Sequence, residues 1–305
     1  MSTEYIHFTA AQKEVARQTD LVALLQSQGE RLKRSGKEYV WRDGSEKVTV
    51  RGNLWFHQYE RIGGDAVDFV RRFYNMDFPQ AVNFLLGDNG GTLPQAEPVK
   101  QEPKKPFELP PQNDNMRRVY AYLLNRRGID REVLSAFVHK GMIYESADYH
   151  NAVFVGYDEH GIARHAHKRG TGSESTYKGN AESCDPRYSF HWSGTDNTLY
   201  LFEAPIDMLS FISLHKENWR SHSYAASCCV GDQVLFQMLK ANPNIDTVCL
   251  CMDNDAAGQA ANKRISDKLF IQGIKHEILV PIHKDWNEDL LSDEQEETEC
   301  QTLQL

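Results

Sequence analysis

The stretch Thr247 to Gly258, TVCLCMDNDAAG, constrains the chain more than any other. Thr247 to Met252 is an apolar run rich in β-formers, too short for a helix and suited to a strand buried on both faces. It stops at Asp253-Asn254-Asp255, and Ala-Ala-Gly then opens a long helical pattern. Open parallel sheets gather their ligands outside the carboxyl ends of the strands, so two carboxylates at this point stand where chemistry is done. Acids at i and i+2 can aim at one divalent cation, and oxygen ligands suit Mg²⁺ or Mn²⁺ rather than Zn²⁺. The same residues also fit a plainer reading, an Asp-Asn-Asp turn that caps the following helix.

Two other stretches repeat the pattern. Thr198 to Phe202, TLYLF, reads as a second buried strand and ends in Glu203-Ala204-Pro205. Ile206 to His215 continues with helical apolar spacing, with Pro205 in the first turn, where its missing N–H is tolerated. His276 to Pro281, HEILVP, reads as a third strand and leads into Lys284-Asp285-Trp286-Asn287-Glu288-Asp289-Leu290. If the strands are parallel neighbours, Glu203, the Asp253/Asp255 pair and the Asp285 cluster meet on one rim.

In this order, LYLFEAPIDMLSF, CLCMDNDAAG and KDWNEDL resemble the Toprim domain shared by bacterial primases, type IA and type II topoisomerases and some nucleases. The resemblance covers residues 196–292. It implies an α/β fold, a Rossmann-like parallel sheet with a metal-binding acidic rim. Residue by residue, it implies Glu203 as general acid/base and metal-site glutamate, and Asp253 and Asp255 as catalytic, metal-binding aspartates. It also implies Asp285 as the later acidic position, for which Glu288 and Asp289 compete.

The 305 residues suit two or three domains. No apolar run approaches the roughly 20 residues of a membrane span, and the N-terminus lacks a signal-peptide pattern. The six cysteines form no CxxC and no regular framework, so a reducing cytoplasm is the expected location. A net charge of −9 looks unfavourable for a nucleic-acid partner. Its distribution removes the objection. Residues 181–305 hold 9 basic and 20 acidic residues, whereas residues 100–180 hold 13 and 10. The acidic excess goes with the expected metal site and with an acidic tail over 293–305, and any phosphate-backbone contact falls to the earlier regions.

Residues 9–30 have helical spacing, and Glu38 to Phe56 reads as a small antiparallel sheet with an Asp43-Gly44 hairpin turn. Gly63-Gly64 follows, then a helix opening at Asp65 as cap, and a second short helix from about Pro79 to Leu86. This order, with GGDAVDFV over Gly63 to Val70, resembles the N-terminal zinc-binding domain of bacterial primases, over residues 1–87. That family holds zinc with three Cys and one His. Here no Cys precedes residue 184, and His57 alone cannot supply four N/S ligands. A zinc-free α+β version is expected, its core packed by Trp41, Trp55, Phe56 and Tyr59. Arg51, Arg61, Arg71 and Arg72 are candidates for single-strand DNA contact, or form a solvated face.

Asp88 to Asn115, rich in Gly and Pro, reads as a linker. Residues 116–195 then form a middle segment: a helix from Met116 to Arg127 stopped by Gly128, a helix from Asp130 to Val138, and strands at Ala152–Tyr157 and Ile162–Lys168. Arg169-Gly170-Thr171-Gly172-Ser173 reads as a flexible basic loop, with Tyr177-Lys178-Gly179 behind it. His165 and His167 alternate on a strand and read as surface or hydrogen-bonded histidines. YLLNRRGID, NAVFVGYDEHG and KRGTGSESTYKG resemble the segment before Toprim in primase cores, most of all in a Toprim-linked family of plasmids and integrative elements. That resemblance implies phosphate contacts from Arg169 and Lys178, and from Arg126 and Arg127 in lesser measure.

Together these resemblances imply a primase-like nucleotidyltransferase using Mg²⁺ or Mn²⁺, without zinc. Its partners would be single-stranded DNA and nucleoside triphosphates, and a helicase or relaxase of a mobile element. A Toprim nuclease and a non-catalytic DNA-binding accessory protein are the alternatives.

Overall fold

The computed structural model describes residues 8–43, 46–60, 62–87, 94–96, 105–228 and 231–293. Its contacts divide into two compact units, Met1–Pro103 and Lys104–Leu305. Gly44, Ser45 and Arg61, half of the linker and the tail beyond Asp293 lie outside the described residues.

In the first unit the helical spacing of residues 9–30 resolves into two helices, α1 (Ala10–Arg17) and α2 (Leu21–Ser27). The break falls at Asp20, whose carboxylate accepts from the Ala23 N–H at 2.9 Å and starts a new helix. Five antiparallel strands follow in sequential order: β1 (Lys33–Ser35), β2 (Glu38–Asp43), β3 (Glu46–Arg51), β4 (Leu54–His57) and β5 (Gly63–Gly64). Helix α3 (Ala66–Phe73) is capped by Asp65, and α4 (Phe78–Leu86) by Asp77. Trp41 and Trp55 pack edge-on to Phe73, each with ring centroids 5.2 Å away, and form the expected aromatic core. Phe56 and Tyr59 are only half-buried; the centre is filled by Phe69 instead. His57 is fully buried, and its Nδ1 accepts from the Glu60 N–H at 3.0 Å.

The second unit holds two sheets around a shared core. Helix α5 (Arg117–Tyr120) continues as a π-helix over Ala121–Arg126, where a regular α-helix was expected to reach Arg127. The wider turn lets the Arg127 N–H bond the Tyr122 carbonyl at 3.1 Å. Gly128, at φ 66°, then ends it. Helix α6 (Arg131–His139) and the antiparallel strands β6 (Ile143–Glu145), β7 (Ala152–Tyr157), β8 (Ala163–Arg169) and β9 (Lys178–Asn180) complete this half.

The other sheet has the order β10-β12-β11-β13-β14. Strand β10 (His191–Trp192) is antiparallel, whereas β11 (Thr198–Phe202), β12 (Ser223–Ala226), β13 (Thr247–Cys251) and β14 (Lys275–Ile278) are parallel. Helices α7 (Pro205–Leu214), α8 (Gln233–Ala241) and α9 (Ala256–Ile271) make the crossovers, and a last helix, α10, occupies 286–293. This is the expected α/β architecture, and buried residues from Val119 to Leu290 join both halves in one hydrophobic cluster. No described helix is long and apolar enough to cross a membrane.

Candidate active site

Register brings the acids together. Phe202 on β11 lies level with Cys251 on β13, so both strands end on the same rim and Glu203 and Asp253 leave the sheet side by side. The Glu203 carbonyl is fixed by the Cys228 N–H at 3.0 Å and the Ser227 hydroxyl at 3.2 Å. Behind Asp253 the first turn of α9 presses in so closely that a Cβ on Gly258 would meet the Asp253 carbonyl oxygen at 2.0 Å. Only glycine permits that approach. The loop before α10 is tied to the same rim. The Asn254 N–H donates to the Lys284 carbonyl at 2.8 Å, and the Trp286 indole donates to the Cys251 carbonyl at 3.0 Å.

These elements surround a cleft of about 350 Å³. Glu203, Asp207, Asp253 and Asp285 supply its acids, and Arg127, Arg169, Lys178 and Lys284 its cations. Asp289 and Glu288, which competed with Asp285 in the sequence, are engaged in the loop. Asp289 accepts from the N–H groups of Ile282 and His283, at 2.8 and 2.7 Å, and Glu288 accepts from the Lys284 N–H at 3.2 Å. Asp255 takes the plainer of its two readings as a helix cap. One of its oxygens accepts from the Ala257 and Gly258 N–H groups, each at 2.9 Å, and the residue does not line the cleft.

Burial, with crowding of like charge behind it, sets the electrostatics. Burial, then the charges of Glu203, Asp285 and Asp255, push Asp253 up to about 7. Its Oδ1 is buried and has no hydrogen-bond partner. Burial also raises Glu203, with Lys178 working against the rise. Asp207 stands well above the ordinary carboxylate range, through burial and then the charges of Asp253, Asp285 and Glu203, with Arg127 opposing. A divalent cation would relieve all three at once. Among the described residues no group of three or more His, Cys, Asp or Glu is drawn together as a ready metal cage.

The cations do not all follow the sequence reading. Arg127 reaches the cleft and is held there by Asn287, whose Oδ1 accepts from Arg127 Nη1 at 2.9 Å. Asn287 Nδ2 donates in turn to the Arg127 carbonyl at 2.7 Å and to the Ser210 hydroxyl oxygen at 2.9 Å. Arg126 turns the other way and donates to the Gly172 carbonyl at 2.9 Å. Arg169 and Arg127 both donate through Nε to the Tyr122 hydroxyl, at 3.3 and 3.1 Å. The loop read as flexible is pinned, with the Thr171 hydroxyl donating to the His150 carbonyl at 2.8 Å. His165 is fully buried and neither ring nitrogen has a partner, and His167 is buried but lines the cleft. In the first unit Arg72 pairs with Glu60 at 2.8 Å.

Four residues of the site escaped the sequence reading: Asp207, Lys284 and Asn287, which line the cleft, and Tyr122, which holds Arg127 and Arg169 behind it. Asp207 carried a signal, an acid one turn after Glu203 inside a helix otherwise apolar enough to be buried all round. The other three are polar or aromatic residues of ordinary helix and loop patterns.

Residues 200–290 match the Toprim-like family, and residues 121–196 match a family described as a protein of unknown function, DUF3991. The second unit therefore carries a Toprim-like domain. An uncharacterized protein of Bacillus anthracis, pXO2-78, is 27% identical over 232 residues, covering 72% of this chain and 67% of that protein. Among solved structures, the chain is similar to the Aquifex aeolicus primase, zinc-binding and RNA polymerase domains. The identity there is 17% and the TM-score 0.41, covering 96% of this chain and 84% of that one. It is also similar to the primase fragment of the bacteriophage T7 primase-helicase, at 20% identity and a TM-score of 0.43, covering 59% and 73%.

Proposed function

We propose that the cleft is a Mg²⁺-dependent nucleotidyl-transfer site that makes short primers on single-stranded DNA. The observation that carries this reading is the pairing of charge across the cleft. Acids from three strand ends face Arg127, Arg169, Lys178 and Lys284, which is what a metal-bound triphosphate requires. Asp253, with its unpartnered oxygen, would hold the cation, with Glu203 and Asp285 beside it and Asp255 adding charge from the helix cap. When bound, Mg²⁺ supplies Lewis-acid stabilisation of phosphoryl charge. Arg169 and Lys178 orient the phosphates, and Arg127 offsets the Asp207 charge. Glu203, raised by burial, accepts the proton of the attacking 3′-hydroxyl. The new bond joins that oxygen to the α-phosphorus, and the bond to the departing pyrophosphate breaks.

The test is incubation with single-stranded template, labelled nucleotides and Mg²⁺ or Mn²⁺. New short products that vanish in Asp253→Ala support the reading. Shortening of the template indicates a nuclease, and DNA binding without either indicates an accessory protein.

A further inference from the structure

His167 on β8 lines the cleft although only 6% exposed, and its neighbours fix its tautomer. Asn180 donates through Nδ2 to the Cys228 carbonyl at 3.2 Å, which sets the amide so that its Oδ1 faces His167 Nδ1 at 2.7 Å. An amide oxygen only accepts, so Nδ1 carries the hydrogen. Burial, and after it the positive charges of Arg169 and Lys178, disfavour a second proton on the ring, against the Asn180 hydrogen bond, which favours one. Nε2 is left as a bare lone pair. The ring that carries it lines the cleft.

We infer that His167 Nε2 accepts a hydrogen bond from a sugar hydroxyl of the nucleotide bound in this cleft. The inference rests on reading the cleft as a nucleotide site. Phosphate oxygens are acceptors and would be repelled by a bare Nε2; Arg169 and Lys178 stand beside it to take them. The same two cations disfavour a metal ion on this nitrogen. A sugar hydroxyl is the neutral donor that a nucleotide presents whichever base it carries.

The full chain is titrated with ATP and with 2′,3′-dideoxy-ATP, both with Mg²⁺, and its histidine ¹⁵N resonances are recorded. Loss of the hydroxyls should weaken binding about tenfold in the wild type. His167→Phe should bind ATP about as weakly as the wild type binds the dideoxy analogue, with no difference between the two. His167→Gln, which keeps an acceptor, should restore part of the preference even if the Phe variant folds poorly. Equal affinities in the wild type, or a preference that survives in His167→Phe, would overturn the inference. Absence of any ATP binding sinks the nucleotide reading and this inference with it. A protonated Nε2 in the free protein sinks this inference and leaves the nucleotide reading standing.

Discussion

Asp65 and Asp255 perform the same local task in two different units. Each starts a helix with one carboxylate oxygen that accepts from two backbone N–H groups, at 2.9 and 3.1 Å for Asp65 and 2.9 Å twice for Asp255. Their surroundings differ. Asp65 is answered by Asp68, which closes a capping box, and by Arg17 at 3.5 Å. Asp255 instead adds negative charge to Glu203 and Asp253, both already raised by burial. A satisfied acid holds a fold together, whereas acids held against one another store a demand for a cation. That contrast, rather than the number of acids, separates the two units.

The comparison breaks most visibly at Asp253. Asp253→Ala should lower product formation by about 10²–10³-fold or more, while single-stranded DNA binding stays close to wild type. Retained synthesis in that variant would show that the crowded acids are not the reacting site.

A second effect concerns pH. The Asp253 carboxyl stands at about 7 in the folded chain, against an ordinary value of 3.8. Between those values the metal-free native state binds a proton that the unfolded state has released, so stability falls as pH rises through this window. It is fully present below about 4 and lost above about 7. Thermal melts in EDTA should therefore drop by several degrees from pH 4.5 to 7.5 more than those of Asp253→Asn, and Mg²⁺ should restore the wild type at the higher pH. A wild-type curve parallel to that of Asp253→Asn would refute the stored repulsion.

Next in size is the clamp on Arg127. Asn287 is 2% exposed and satisfies Arg127 Nη1, the Arg127 carbonyl and the Ser210 hydroxyl together. Asn287→Ala leaves those groups buried without it and should cost about 1–3 kcal/mol in chemical denaturation. In the Arg127→Ala background the penalty should shrink, because one of the three partners is already gone. Full additivity of the two substitutions would show that the clamp does not act on Arg127.

Much of the fold was legible because it is written in short unbroken apolar runs. The strand Ala152–Tyr157 and the apolar runs before Glu203 and Asp253 are buried on both faces and so appear as unbroken apolar stretches. The rim followed from those runs, since a parallel sheet puts every strand end on one side. What stayed hidden depends on long-range contact. The π-turn that places Arg127 leaves no periodic signature, and Asn287 meets Arg127 across 160 positions. The two readings of Asp253-Asn254-Asp255 could not be separated by spacing, because a cap and a cation both want an oxygen at a helix start. The structure divides the two between residues, with Asp255 on the helix and Asp253 in the cleft.

The smallest effect is the most discriminating. Asp65→Ala and Asp255→Ala each remove a cap with two backbone hydrogen bonds and should each cost about 1 kcal/mol. The ion pair with Arg17 adds little, because half of the Arg17 side chain is exposed. The two variants should part company when Mg²⁺ is varied. Asp65→Ala should leave the Mg²⁺ response unchanged. Asp255→Ala removes a repelling charge beside Asp253 and Glu203, so its metal-free protein should lose less stability as pH rises, and it should need more Mg²⁺ for half-maximal stabilisation. Identical Mg²⁺ titrations for the two variants would mean that Asp255 is a cap and nothing else.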